Sequence, residues 1–208
     1  MLRGLALTLL TAGLCLLGVS GLELVARERH QALELGKLEP LLQARRAVEG
    51  GVVSASASRA RMRASQNAAW GRLELRRVGL SVVVDEGVDG PTLDRAVGHV
   101  PGSSFPGEPG NVVLAGHRAG LFRPLRSVRT GDRLRLTTLD GSFDYDVDEI
   151  LIVPPERSDV LAAGAHEQLT LVTCYPFRYV GPAPLRFVVK AKRRLAALAT
   201  SSAPDFAR

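Results

Sequence analysis

Two apolar runs in this chain each end on a residue that could take part in acyl transfer. Cys174 closes LTLVTC (169–174) and is the only cysteine outside the N-terminal apolar segment that holds Cys15. A thiol becomes a nucleophile when a neighbouring base or cation favours its thiolate. His117 closes the other run, NVVLAGH (111–117), and could be that base. The remaining histidines fall elsewhere: His30 in an N-terminal stem, His99 in a turn-rich connection that suits packing, and His166 in a polar surface loop. Acyl transfer also needs a group to stabilise a developing oxyanion. Arg186 is the only charge within PLRFVV (184–189), and an arginine in such a strand must find an anionic or carbonyl partner. Arg178 lies in the YPFRYVGP loop and reads as solvated. From these residues alone a second reading stays open, an inert core thiol with an unrelated histidine and an arginine held in a structural ion pair.

The elements that would position these groups are short strands. Proline (12) and glycine (21) cluster between brief apolar runs from residue 87 onward, which favours an all-β domain. Trp70 opens it. Strands are expected at Arg72–Val78 and Ser81–Asp85, joined near Gly79, and a short helix at Thr92–Val97. Residues 98–110 read as a long turn-rich connection. Further strands follow at Asn111–Ala115, Arg133–Thr138 and Phe143–Val153, the last two paired across an Asp140-Gly141 turn. Short helical turns are expected at Leu121–Ser127 and Ser158–Ala162, and final strands at Gln168–Thr173 and Leu185–Ala191. About eight short strands of this spacing suggest a closed, antiparallel-rich barrel.

The N-terminal third has a different character. Gly4 to Leu22 carries no charge. As a helix it spans about 28 Å, roughly a bilayer core. Two readings compete: a cleaved signal peptide with the small residues Val19-Ser20-Gly21 near a cut, and, preferred because the run exceeds the usual apolar core of such peptides, a signal anchor over 4–25 with residues 1–3 on the cytoplasmic side. Glu23–Val48 places Leu33, Leu38, Leu41 and Leu42 at helical spacing, an amphipathic stem broken near Pro40. Residues 50–65 read as a linker, 26–68 together as stem and linker, 69–194 as the folded domain and 195–208 as a tail.

The formal charge of +6 excludes little by itself, because the surplus sits in the stem between Arg27 and Arg77 and the rest of the chain is balanced. A nucleic-acid protein would place its basic surface on the folded domain, whereas a basic stem beside an apolar segment suits anionic lipid headgroups. Two cysteines so placed give no disulfide framework. Metal motifs are missing, and Asp144, Asp146 and Asp148 share one strand face that reads as solvated. No glycine-rich nucleotide loop precedes a helix, so no cofactor is expected.

Taken together and in order, NVVLAGH (111–117), LTLVTC (169–174) and PLRFVVKA (184–191) resemble the His, Cys and Arg motifs of the sortases. The resemblance covers about residues 69–194, and the TCYPF and YVGPAPLRFVV segments are most similar to class D sortases and their Gram-negative relatives. It implies an eight-stranded β-barrel with short helices behind a transmembrane helix and helical stem, in a membrane-anchored cysteine transpeptidase. It implies catalytic roles for His117, Cys174 and Arg186, and places Ala115 and Val172 along the groove for a sorting signal. The implied substrate is a protein with an LPxTG-like signal. The acceptor is an amine on peptidoglycan, a pilin or another surface component. No counterpart of the calcium cluster of some class A members is present, so calcium is not implied. The positive-inside rule alone would leave the domain in the cytoplasm; the resemblance implies the exterior face of the cytoplasmic membrane. Other thiol hydrolases fit less well: papain-like peptidases place Cys before His, and L,D-transpeptidases carry a different cysteine motif. A catalytically inactive barrel serving as a membrane-tethered scaffold is the alternative from another class.

Overall fold

The computed structural model describes residues 2–47 and 69–194, without many of the side chains before residue 25 or those of 44–47. A long helix, α1 (Leu2–Ala47), precedes the barrel. The barrel strands are β1 (Gly71–Leu75), β2 (Leu80–Glu86), β3 (Val97–His99), β4 (Asn111–Ala115), β5 (Arg133–Thr138), β6 (Gly141–Val153), β7 (Gln168–Tyr175) and β8 (Leu185–Arg193). A short helix, α2 (Gly90–Arg95), and three 3₁₀ turns connect them. The strands close in the order β1-β2-β3-β4-β7-β8-β6-β5. Two neighbouring pairs are parallel, β2 with β3 and β4 with β7; the others are antiparallel.

Alternation explains which side chains fill the barrel. Leu73 and Leu75 of β1, Leu134 and Leu136 of β5, and Leu169 and Leu171 of β7 are fully buried in one core, with Tyr145, Phe187 and Val189. Burying a leucine of this kind stabilises by about 1.5–3 kcal/mol. β4 departs from alternation because both of its faces are covered: Val112, Val113 and Leu114 are all buried. β7 and β8 do likewise where the 3₁₀ turn Ser158–Leu161 lies over them and seals a second cluster of Val153, Val160 and Val188. Strands buried on both sides read as continuous apolar runs, the character that made 111–117 and 169–174 stand out.

Several sequence expectations need revision. The helix does not break at Pro40 but continues to Ala47. An interior proline costs about 3 kcal/mol. Here the flanking turn is anchored: Leu38 and Leu42 are buried, and Glu39 pairs with Arg72 at 2.7 Å. The connection at 98–110 gives up its start to β3, whose His99 is buried. Its ring contacts Glu86 Oε2 (2.7 Å), Ser103 Oγ (2.9 Å) and the Ser104 carbonyl (3.1 Å). A three-residue strand inside a glycine-rich stretch has too little pattern to declare itself. β7 runs through Cys174 to Tyr175, so the cysteine lies within the strand rather than after it. The three aspartates of β6 face basic partners: Asp144 meets Arg135, Asp146 meets Arg133 and Arg194, and Asp148 meets Lys192. Among the described residues no helix is long and apolar enough to cross a membrane; many side chains of the expected anchor, all of the linker at 50–65 and the tail at 195–208 lie outside the described residues.

The β1–β2 corner is pinned by Arg77, whose guanidinium donates to both Asp132 oxygens and to the Ser127 carbonyl. Asp132 also accepts from the Arg129 amide at 2.8 Å. The Arg77 hydrogen bond, against the opposing effect of desolvation, holds the Asp132 carboxyl below the usual range. Its stabilisation is therefore present above the unfolded carboxyl pKa, near 4, and is lost as the pH falls through the lower folded value. Asp132→Asn is expected to destabilise the fold by about 1–3 kcal/mol at pH 7. Denaturant titrations should show that deficit shrinking below about pH 4; a pH-independent deficit would count against the charge-based account.

Candidate active site

The parallel pairing of β4 with β7 sets the site. Ala115 stands opposite Val172, and the Gly116 amide still donates to the Val172 carbonyl at 3.2 Å. His117 comes two residues after Ala115, as Cys174 comes two after Val172 on β7, and neighbouring strands run about 4.8 Å apart. On the other side β7 pairs with β8, and Cys174 stands directly opposite Arg186. Directly paired residues have Cα atoms about 4.5–5.5 Å apart. Cys174 and Arg186 thus face each other on β7 and β8, and His117 follows two residues after the end of β4, at the same end of the barrel.

Alternation also decides which way they face. Val112 and Leu114, Leu169 and Leu171, and Phe187 and Val189 fill the core. Residues of opposite parity on the same strands therefore face outward: Ala115 on β4; Val172 and Cys174 on β7; Arg186 and Val188 on β8. Val172 packs on the small outer cluster with Val153, Val160 and Val188. Ala115, Val172, Cys174 and Arg186 share one outward surface that holds a half-buried thiol, and His117 follows just past the end of β4.

Backbone and side-chain contacts fix this end of the sheet. The Thr173 hydroxyl, buried on the inner face, donates to the Gly116 carbonyl at 2.7 Å and so ties the residue before Cys174 to the residue before His117. Beneath them the Phe122 ring is fully buried, and a Cβ on Gly116 would come within 2.8 Å of it. Gly116 thus lets the His117 loop settle on that ring. His117 then turns back: its carbonyl accepts from the amides of Gly120 (3.1 Å) and Phe122 (3.3 Å). Arg186 donates to the carbonyls of Leu185 (3.1 Å) and Ala183 (3.3 Å), and among the described residues it faces no carboxylate. The structural ion pair left open in the sequence is therefore not seen there, and a guanidinium with five N–H donors keeps capacity for further carbonyl oxygens.

Two contributors were not legible in the sequence. Arg118, next to His117, reaches the loop after β7. Its guanidinium donates to the carbonyls of Pro176 (3.1 Å), Tyr179 (3.0 Å) and Gly181 (3.0 Å), and lies over the Tyr179 ring. It holds the loop that walls the groove beside Cys174. Asp94, on α2, places Oδ1 3.4 Å from His117 Nε2. A single arginine or aspartate in a loop gives no signal of a partner so distant in sequence. Nearby, burial pushes the Asp85 carboxyl above its ordinary range despite the pull of Arg95 at 3.1 Å. Arg178 and His166 are exposed, as expected.

Comparison with known proteins finds relatives of this barrel. A family model described as a sortase domain matches residues 73–194. Sortase D of Bacillus subtilis is 33% identical over 198 residues, covering 93% of this chain and 99% of that protein. Among solved structures, a Clostridium perfringens sortase D5 transpeptidase superposes with a TM-score of 0.63 at 26% identity, covering 78% of this chain and 99% of its own. Sortase A from Corynebacterium diphtheriae, a lid mutant, gives 0.60 at 26% identity over 77% of this chain and 95% of its own. The chain belongs to the sortase family of cysteine transpeptidases, and its likeness to sortase D agrees with the class D character of its motifs.

Thr173→Val keeps the side-chain volume but leaves the Gly116 carbonyl without the hydroxyl. We expect a loss of about 1–3 kcal/mol in thermal or chemical unfolding, and Thr173→Ser should recover most of it. Equal losses in both variants would show that packing, not the hydrogen bond, matters there.

Proposed function

We propose that this sortase cleaves an LPxTG-like sorting signal through a thioester on Cys174 and transfers the acyl chain to an amine at the cell surface. The observation that supports the reading is the strand register, which sets Cys174 opposite Arg186 and Ala115 opposite Val172, with His117 two residues beyond Ala115. In this scheme the Cys174 thiolate attacks the carbonyl carbon of the threonine. The C–N bond to the following glycine breaks, His117 gives its proton to the leaving amine, and a thioester remains. An incoming amine then attacks the thioester, its proton passes to His117, and the thiolate is released. Arg186 holds carbonyl oxygens of the signal and the oxyanion. Ala115 and Val172 form the floor along which the extended signal lies. The acceptor amine belongs to peptidoglycan, a pilin or another surface component.

Membrane anchoring completes the proposal. Residues 4–25 hold the chain in the cytoplasmic membrane with the barrel outside, a reading supported by the uncharged run Gly4–Leu22 and by Leu10, Leu14 and Leu22, each 70% exposed on α1. A reporter fused after Arg208 is expected to be active only on the exterior; cytoplasmic activity would reverse the topology. For the chemistry, the full-length protein is incubated with a panel of LPxTG-like peptides and an amine, and mass spectrometry follows the Cys174 adduct. An adduct in wild type that is absent in Cys174→Ala, and consumed on adding the amine, is the expected result. No adduct with any peptide would favour a scaffold.

A further inference from the structure

The stem of this chain is not merely a spacer. The α2 carbonyls of Asp94 and Arg95 lie at the helix C-terminus, where no intrahelical donor reaches them. Helix α1 supplies the donors. Arg27 Nε donates to the Asp94 carbonyl and Gln31 Nε2 to the Arg95 carbonyl, both at 2.6 Å, from positions one turn apart on the same face. Gln31 also accepts from the Val83 amide at 3.0 Å. Further along that face come the buried Leu38 and Leu42 and the Glu39–Arg72 pair. The Arg27 guanidinium also lies close over the loop that follows His117. A Cβ built on Gly120 would be 2.8 Å from Arg27 Nη1 and 3.5 Å from His117 Cβ. Arg27 therefore touches both elements that bracket the histidine.

We infer that Asp94 is a positioning residue for His117, and that α1 sets Asp94 in place through Arg27. The inference rests on the reading of His117 as the proton carrier. Its geometry is the 3.4 Å approach of Asp94 Oδ1 to His117 Nε2. Of the two neutral tautomers, a carboxylate on that side favours the one with its proton on Nε2. Nδ1 is then the nitrogen that takes and returns the proton of the thiol or amine. The separation exceeds an ordinary hydrogen bond, and such contacts commonly tighten when substrate is bound. Both side chains are largely exposed, so the carboxylate orients the ring without anchoring the fold.

The test uses the full-length protein and two readouts. Imidazole ¹⁵N spectra at alkaline pH, assigned by the signal lost in His117→Ala, report the tautomer without any substrate. Thioester formation with a reactive peptide separates kcat from KM. Asp94→Ala is expected to lower kcat about 10-fold with KM unchanged, the worth of one hydrogen bond to a charged group, and to erase the Nε2–H preference. Asp94→Asn should keep the tautomer and lie within about 3-fold of wild type, since its amide oxygen accepts the same N–H. Arg27→Ala should fall between, and Arg27→Ala/Asp94→Ala should be no worse than Asp94→Ala alone. Wild-type kcat and tautomer in Asp94→Ala would overturn the assignment. Multiplicative losses in the double variant would overturn the link through α1. The underlying reading fails separately: it falls if Cys174→Ala still forms an adduct or His117→Ala turns over normally, whatever Asp94 does.

Discussion

The structure depends on one pairing, the parallel run of β4 beside β7. Residues distant in sequence are in register there: β4 ends at Ala115 opposite Val172, β7 runs on to Tyr175, and His117 and Cys174 both come two residues after that last pair. A parallel pair cannot be joined by a tight turn, and the long connection it requires is used here to wrap the barrel. The chain leaves β4, builds β5 and β6 on the far side, and returns through the turn that covers the outer face of β7 and β8. The small outer cluster under that turn, with Asn111 donating to the Leu161 carbonyl and accepting from Thr170, keeps the register from slipping. A one-residue slip would send Cys174 into the core.

The site is legible in the sequence to the extent that it lies on strands. His117, Cys174 and Arg186 stand at the ends of apolar runs, and the face shared by Cys174 and Arg186 follows from alternation once the register is known. The register was not readable, because apolar runs buried on both sides offer no period to align. β3 escaped notice because its three residues sit between a helix end and a glycine-rich loop, and its partners are set by β2 and β4 rather than by its own composition. Pro40 misled for the opposite reason. It is a strong local signal for a break, overruled by docking contacts on either side of it.

What lay beyond sequence reading was the second layer of contacts. Arg118 and Asp94 act through partners far away in the chain, one on backbone carbonyls of a loop and the other on the ring of His117. Neither backbone carbonyls nor surface approach leave a mark on composition. Both residues sit at the point where the barrel end meets its loops, which is where a rigid sheet alone would leave a histidine and a substrate wall undetermined.

The continuity of α1 bears on reach. A tethered domain on a pliable stalk can sample a volume around its anchor, whereas a single helix held against the barrel by Arg27, Gln31, Leu38 and Leu42 turns with the barrel as one body. From Leu22 to Arg27 the helix rises only about 8 Å. With the preceding residues in the bilayer as proposed, the groove works just above the lipid headgroups and in a fixed orientation. Client proteins would then have to present their signals at that same height.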